Sequence, residues 1–162
     1  FRFQVGFMLC GFGLMMVMPV LPIFFVDVLN VSYKQLAVAF LLCKGIGYVV
    51  SSKFWSQKFN EIHIFKFMIY VHFSFILFGI LVIASIWNIF FLYVAYFVYG
   101  LAQAGSHLSW NLSGPIFSRD QNSASFTSVN VVMVGVRGCI APLVGSLFCS
   151  LLGPYFVLFF FM

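Results

Sequence analysis

What most constrains this chain is a series of long apolar runs, rich in Phe, Leu, Val and Ile, separated only by short polar patches. The runs fall at about 4–29, 35–55, 64–86, 88–110 and 128–150, and a further one starts near 154 and continues to 162. Each complete run is at least ~20 residues, and a helix rising about 1.5 Å per residue then crosses a ~30 Å hydrocarbon core. A water-soluble domain could not hide them. The chain is 64% hydrophobic and 7% charged, with a mean hydropathy of +1.12, whereas a soluble domain leaves roughly a third of its unfolded surface exposed and largely polar. The runs are continuous and do not alternate at every second residue, which excludes a transmembrane β-barrel. The expected fold is therefore an all-α membrane protein. It is a bundle of about five complete transmembrane helices plus the start of a sixth, forming a single transmembrane domain over 1–162. The first run is too long for a secretory signal and lacks a small-residue cleavage site, so it reads as a retained span.

The basic residues suggest an orientation. Arg2 marks the N-terminus, Lys53, Lys58 and Lys66 mark the break at 53–66, and Arg119 marks the break at 111–127. The intervening breaks at 30–34, 86–88 and 151–154 carry only Lys34. Cytoplasmic loops hold the excess of Lys and Arg, which places the N-terminus inside. The net charge of +5 is then a topological signal, and nucleic acid is not the expected partner. The expected location is a bacterial inner (plasma) membrane, with the lipid bilayer as the first partner.

Most enzymatic chemistry lacks its residues. Cys10, Cys43, Cys139 and Cys149 lie inside apolar runs without metal-ligand spacing, so they read as small hydrophobes. His63, His72 and His107 are scattered, and Asp27, Glu61 and Asp120 are the whole complement of acids. That leaves little for acid–base catalysis, and no phosphate-cradling loop is present. Neither an enzyme nor a cofactor or metal is expected.

The informative residues are the polar ones inside the spans. An ionisable group at mid-membrane costs about 2.5–3.5 kcal/mol on insertion scales and normally faces protein or a watery cavity. Lys44 and Arg137 each lie about nine residues into a run, close to the midplane, and each is followed by glycine. If helices 1–3 and 4–6 form an inverted 3+3 repeat, the two cations occupy matching positions, where such folds place substrate sites. The plainer account is that each snorkels or binds a backbone carbonyl.

On the fourth run, Gly100, Gln103, His107, Trp110, Asn111 and Gly114 share one helical face. They could line a cavity, or hold the helix to its neighbours by hydrogen bonds worth about 0.6 kcal/mol each. His107 is either a hydrogen-bonded core residue or a proton carrier. The first run carries Gly11, Gly13, Pro19 and Pro22 before Asp27, and proline bends a span only where protein or a cavity satisfies the freed carbonyls. The fifth run carries Gly135, Gly138, Ala141, Pro142, Gly145 and Ser146, a small-residue track suited to close packing or bending.

Several of these segments resemble the N-terminal half of a major facilitator superfamily transporter, with the likeness covering helices 1 to 5 and the start of helix 6. Met18-Pro19-Val20-Leu21-Pro22-Ile23-Phe24-Phe25 is similar to the family's exit from helix 1. Ser51-Ser52-Lys53-Phe54-Trp55-Ser56 resembles the approach to its loop 2–3 motif, Gly-x-Leu-Ala-Asp-Arg-x-Gly-Arg-Arg. Here that motif stands in degenerate form at 56–65, with Ser56 for the first glycine, Asn60 for the acid, Glu61 for the arginine and His63 for the second glycine. Ala141-Pro142-Leu143-Val144-Gly145-Ser146 resembles the helix 5 kink of antiporter-like members, and Trp110-Asn111-Leu112 with Gly135-Val136-Arg137-Gly138 looks like a bacterial subgroup.

The resemblance implies secondary active transport of a small solute by alternating access, coupled to an ion gradient. It also implies a C-terminal six-helix half that this sequence does not contain. Carried over by helix position, Lys44, Gln103, His107, Asn111 and Arg137 would line the substrate cavity. Ser56, Asn60, Glu61 and His63 would form the gating loop, and Pro19, Pro22, Gly138, Pro142 and Gly145 the kinks and close contacts. Two cations would favour an anionic solute or be neutralised by an acid from the other half. The chain starts at Phe and stops in an apolar run, so a fragment or interrupted reading frame is expected. A non-transporting membrane remnant and an oligomeric channel subunit are the alternatives.

Overall fold

The computed structural model describes residues 2–118 and 123–161, with side chains from Gln4 to Phe160. Arg119 and Asp120 lie outside the described residues, as does the side chain of Arg2. The described residues are helical almost throughout and hold no strand. Four stretches are long and apolar enough to cross a membrane: Gln4–Val28, Tyr33–Glu61, Ile64–Ala84 and Ser123–Leu152.

The first stretch is not one regular helix. Helix α1 (Arg2–Val17) stops before Pro19, which lacks an N–H to continue the ladder, and a short α2 (Val20–Ile23) follows. A π-helical turn, Phe24–Val28, then leads to Asn30, whose φ of 50° turns the chain. Asn tolerates that left-handed conformation better than most residues. Ser32 caps the next helix as a capping box: its hydroxyl accepts from Gln35 N, and Ser32 N donates to Gln35 Oε1 at 3.0 Å.

From there α3 (Tyr33–Ala37), a π-helical stretch (Val38–Cys43) and α4 (Lys44–Glu61) form a second continuous rod. The polar break expected at 53–66 is therefore mostly helix. Lys53 and Lys58 lie on the last turns of α4, and the turn itself is Ile62 and His63. Lys, Gln and Glu are good helix formers, so polarity ends the apolar run without ending the helix. Likewise α6 (Phe90–Ser118) and α7 (Ser123–Leu152) close most of the break expected at 111–127. α6 has 29 residues yet falls outside the four apolar stretches, since Gln103, His107, Asn111 and several Tyr and Ser dilute it. Between them, α5 (Ile64–Ala84) starts at His63, whose Nδ1 accepts from Phe65 N at 3.4 Å, and α6 starts after Asn88, whose Oδ1 accepts from Phe90 N at 2.8 Å.

The chain forms two compact units, residues 1–24 with 110–162, and residues 25–109. In the second unit α4 and α6 touch backbone to backbone. A Cβ on Gly47 would strike the carbonyl of Phe97, and one on Gly100 the carbonyl of Lys44. Trp55 donates from Nε1 to Leu101 O at 2.8 Å and packs with Phe67, Val71 and Ala104. Tyr96 is buried among Phe25, Phe40, Phe78 and Tyr99.

In the first unit α1 packs along α7, and Gly145 lets the carbonyl of Met16 come close. α7 ends at Gly153, whose φ of 84° suits only glycine and whose N–H donates to Cys149 O at 2.9 Å. Pro154 then opens α8 (Pro154–Phe161), the beginning of the sixth run. The outward faces are apolar in both units: Leu9, Val49, Ile69, Leu143 and Phe159 are each about two-thirds exposed or more. Such continuous apolar surface is what a bilayer covers and water does not tolerate.

Candidate functional site

In residues 25–109 the sequence-predicted polar residues sit along the α4–α6 seam. The close approach at Gly47 and Gly100 brings the Lys44 ammonium over the Tyr99 ring, 5.1 Å from its centroid. A cation over an aromatic face is attracted by the ring quadrupole, more so where water is scarce. One turn further on α4, the Tyr48 hydroxyl lies 3.2 Å from His107 Nδ1, with the rings edge to face. Which atom donates depends on the tautomer of His107. Gln103 is half-buried on the same face of α6, between these two contacts.

The tyrosines are the residues that sequence reasoning missed. Tyr48 is one turn after Lys44, and Tyr96 and Tyr99 precede Gln103 and His107 at helical spacing. That i, i+4 pattern of Lys and Tyr on one helix facing Tyr, Gln and His on another was the available signal. The Tyr96 hydroxyl is buried without a hydrogen-bond partner among the described residues.

In residues 1–24 and 110–162 the focus is Arg137. It is only 8% exposed and points at α1, where Nη1 donates to Phe7 O at 3.0 Å and the guanidinium lies 5.0 Å from the Phe7 ring centroid. Phe7 in turn stacks on Trp110 at 5.8 Å. Gly11 is where the guanidinium fits; a Cβ there would collide with it. Among the described residues no carboxylate pairs with Arg137, and its Nε has no partner. Two turns earlier on α7, Asn130 is buried and donates to Ser113 Oγ at 2.8 Å. Asn111, by contrast, is exposed, and a Cβ added at Gly135 or Gly138 would meet nothing within 4 Å.

The residues matched to the loop motif lie apart from these clusters. Ser56 and Asn60 are exposed on α4, Glu61 pairs with Lys58 at 2.6 Å across one helical turn, and His63 caps α5 while stacking on Phe65. Among the described residues no group of His, Cys, Asp and Glu is placed to hold a metal. Pro19 caps the short α2 and Pro22 lies within it, just before the π-helical turn, whereas Pro142 lies inside a continuous α7. No family model, no curated protein and no solved structure gives a match to this chain.

Proposed function

We propose that this chain is the N-terminal half of an ion-coupled secondary transporter of the major facilitator type, carrying a small anionic solute by alternating access. The observation that carries the reading is Arg137. A guanidinium buried at the middle of an apolar span, with a backbone carbonyl and a ring as its neighbours, is a costly arrangement. Charges kept at such depth are rare and mark solute or ion pathways. An anion arriving at Arg137 would supply the missing countercharge, and its departure would restore the contact with Phe7.

The second unit supports the same reading by itself. Among the described residues Lys44 is held over an aromatic ring without an acid, and Tyr48 and His107 place two further polar groups on the same seam. In this proposal the N-terminus lies in the cytoplasm of a bacterium and the membrane is the inner one, following the distribution of Lys and Arg.

The test is uptake by the full-length protein in proteoliposomes under an imposed proton gradient, using a panel of labelled organic anions chosen by thermal-shift screening. Saturable uptake that drops at least about tenfold in Arg137→Ala supports the proposal. Uptake indifferent to solute charge and to Arg137→Ala removes the anionic carrier. Unsaturable current would make the protein a channel, and no ligand-dependent response of any kind would favour an inert membrane remnant.

A further inference from the structure

In the first unit a cavity of about 400 Å³ lies where the start of α1, the end of α6 and the start of α7 meet. Gln4, Ser113, Phe117, Phe126 and Asn130 are among its walls. Each lies within about two turns of an end of its helix, so the cavity sits at one end of this unit, where a spanning helix meets water. Among the described residues no charged side chain lines it, so an anion entering it meets no carboxylate.

From the cavity the three helices step inward in the same order. On α1, Phe7 follows Gln4 by one turn and Gly11 follows Phe7 by another. On α6, Trp110 lies one turn inward of Ser113, whose Oγ donates to Trp110 O at 3.2 Å. On α7, Asn130 donates to the same Oγ at 2.8 Å and precedes Arg137 by two turns, about 10 Å along the axis. Three layers result: the cavity walls, then Phe7 and Trp110, then Arg137 in the space beside Gly11. The middle layer is held by one contact. The Phe7 and Trp110 rings stack with centroids 5.8 Å apart, and the Phe7 ring is in turn 5.0 Å from the guanidinium carbon of Arg137. Stacking of this kind favours the closed arrangement by about two- to tenfold beyond its packing, enough to keep it shut and little enough to let it open.

We propose that the Phe7–Trp110 pair is a gate between this cavity and Arg137. With the rings stacked, the guanidinium is shut off from the cavity. When the indole swings aside, a small anion passes from the cavity to the guanidinium. The gate rests on the reading of Arg137 as the anion site and adds the route to it. Its test reads access to the guanidinium, so gating and uptake can fail separately.

The probe is p-hydroxyphenylglyoxal, a dicarbonyl that condenses with guanidinium groups. It is applied to the full-length protein in lipid nanodiscs, and modification of Arg137 is timed by peptide mass spectrometry. Arg137 is expected to react slowly in the unaltered protein and at least about tenfold faster in Trp110→Ala. Trp110→Phe, which keeps a stacked ring, should stay within about twofold of the unaltered protein. Val129 is 55% exposed on the cavity wall, and Val129→Trp narrows the cavity from there. Added to Trp110→Ala, it should remove most of the tenfold gain. If Trp110→Ala fails to fold, Trp110→Leu keeps apolar bulk without the stack and serves in its place. A rate unchanged by loss of the indole would overturn the gate. So would acceleration equally large in Trp110→Phe, or acceleration that survives Val129→Trp. The expected pattern without any solute uptake would sustain the gate and remove the carrier.

Discussion

Arg137 on α7 donates to the main-chain carbonyl oxygen of Phe7 on α1, 3.0 Å away, across 130 residues of sequence. That oxygen sits inside a helix, where the backbone ladder already offers it a donor, so the guanidinium is not needed to satisfy it. The cation meanwhile has lost most of its water and gained no acid among the described residues. Replacing a buried charge with an apolar side chain of similar volume is often neutral or stabilising. Arg137→Met is therefore expected to leave the melting temperature unchanged or raise it, while ligand response or uptake falls at least about tenfold. Thermal unfolding in nanodiscs checks the first half. A drop of more than about 5 °C would show that Arg137 is a structural clamp between α1 and α7.

Gly11 tests the same contact from the other helix. Its missing side chain makes room for the guanidinium, so Gly11→Ala forces Arg137 aside and should cost about 1–3 kcal/mol. In an Arg137→Ala background the obstacle is gone, and the added methyl should be neutral or gain up to about 1 kcal/mol in helix propensity. The two costs should thus be strongly coupled. Additive effects in the double-mutant cycle would mean that the guanidinium does not occupy the space beside Gly11.

The α4–α6 crossing makes a sharper demand. At Gly47 and Gly100 a Cβ would meet main-chain atoms of the facing helix, and main chain cannot move aside as a side chain can. Gly47→Ala and Gly100→Ala should each destabilise by at least about 1–3 kcal/mol, and each should also disturb the Lys44–Tyr99 contact that the crossing creates. Gly45→Ala and Gly138→Ala have open space and should be neutral or slightly stabilising. Ranking the four variants by thermal unfolding is the measurement. If all four behave alike, the close approach does not exist in the membrane.

Helical class and four of the long apolar stretches were legible in the sequence because they rest on run length and composition, which a bilayer imposes on every lipid-facing residue. The ends were not. Lys53 and Lys58 looked like a loop, yet they cap the apolar part of α4 without interrupting it, since helix propensity is indifferent to polarity. The π-helical stretch before Lys44 was also invisible, as Val38–Cys43 is an ordinary apolar segment and π turns have no simple residue signature. At the candidate sites, Lys44, His107 and Arg137 stood out as rare polar residues in apolar runs. Their neighbours did not, because Tyr48, Tyr99 and Phe7 are common residue types in this composition, and pairing Phe7 with Arg137 depends on a fold-level contact that no local pattern encodes.

The proposed orientation can be tested at α5, which has 21 residues and runs from the turn at Ile62 and His63 to the turn at Ser85–Asn88. A helix of that length and apolarity is long enough to put its two turns on opposite sides of a membrane. Lys58 and Lys66 flank the first turn and no charge flanks the second, so the first should face the cytoplasm. His63 and Trp87 are both exposed, Trp87 at 83%, and suit single-cysteine labelling once Cys10, Cys43, Cys139 and Cys149 are replaced by Ala. With a membrane-impermeant maleimide, His63→Cys should react only in inside-out vesicles and Trp87→Cys only from the cell exterior. The two sites labelling from the same side would mean that α5 does not span the bilayer. The opposite pattern would keep the span but reverse the chain, and the positive charges near His63 would then need a partner other than the cytoplasmic face.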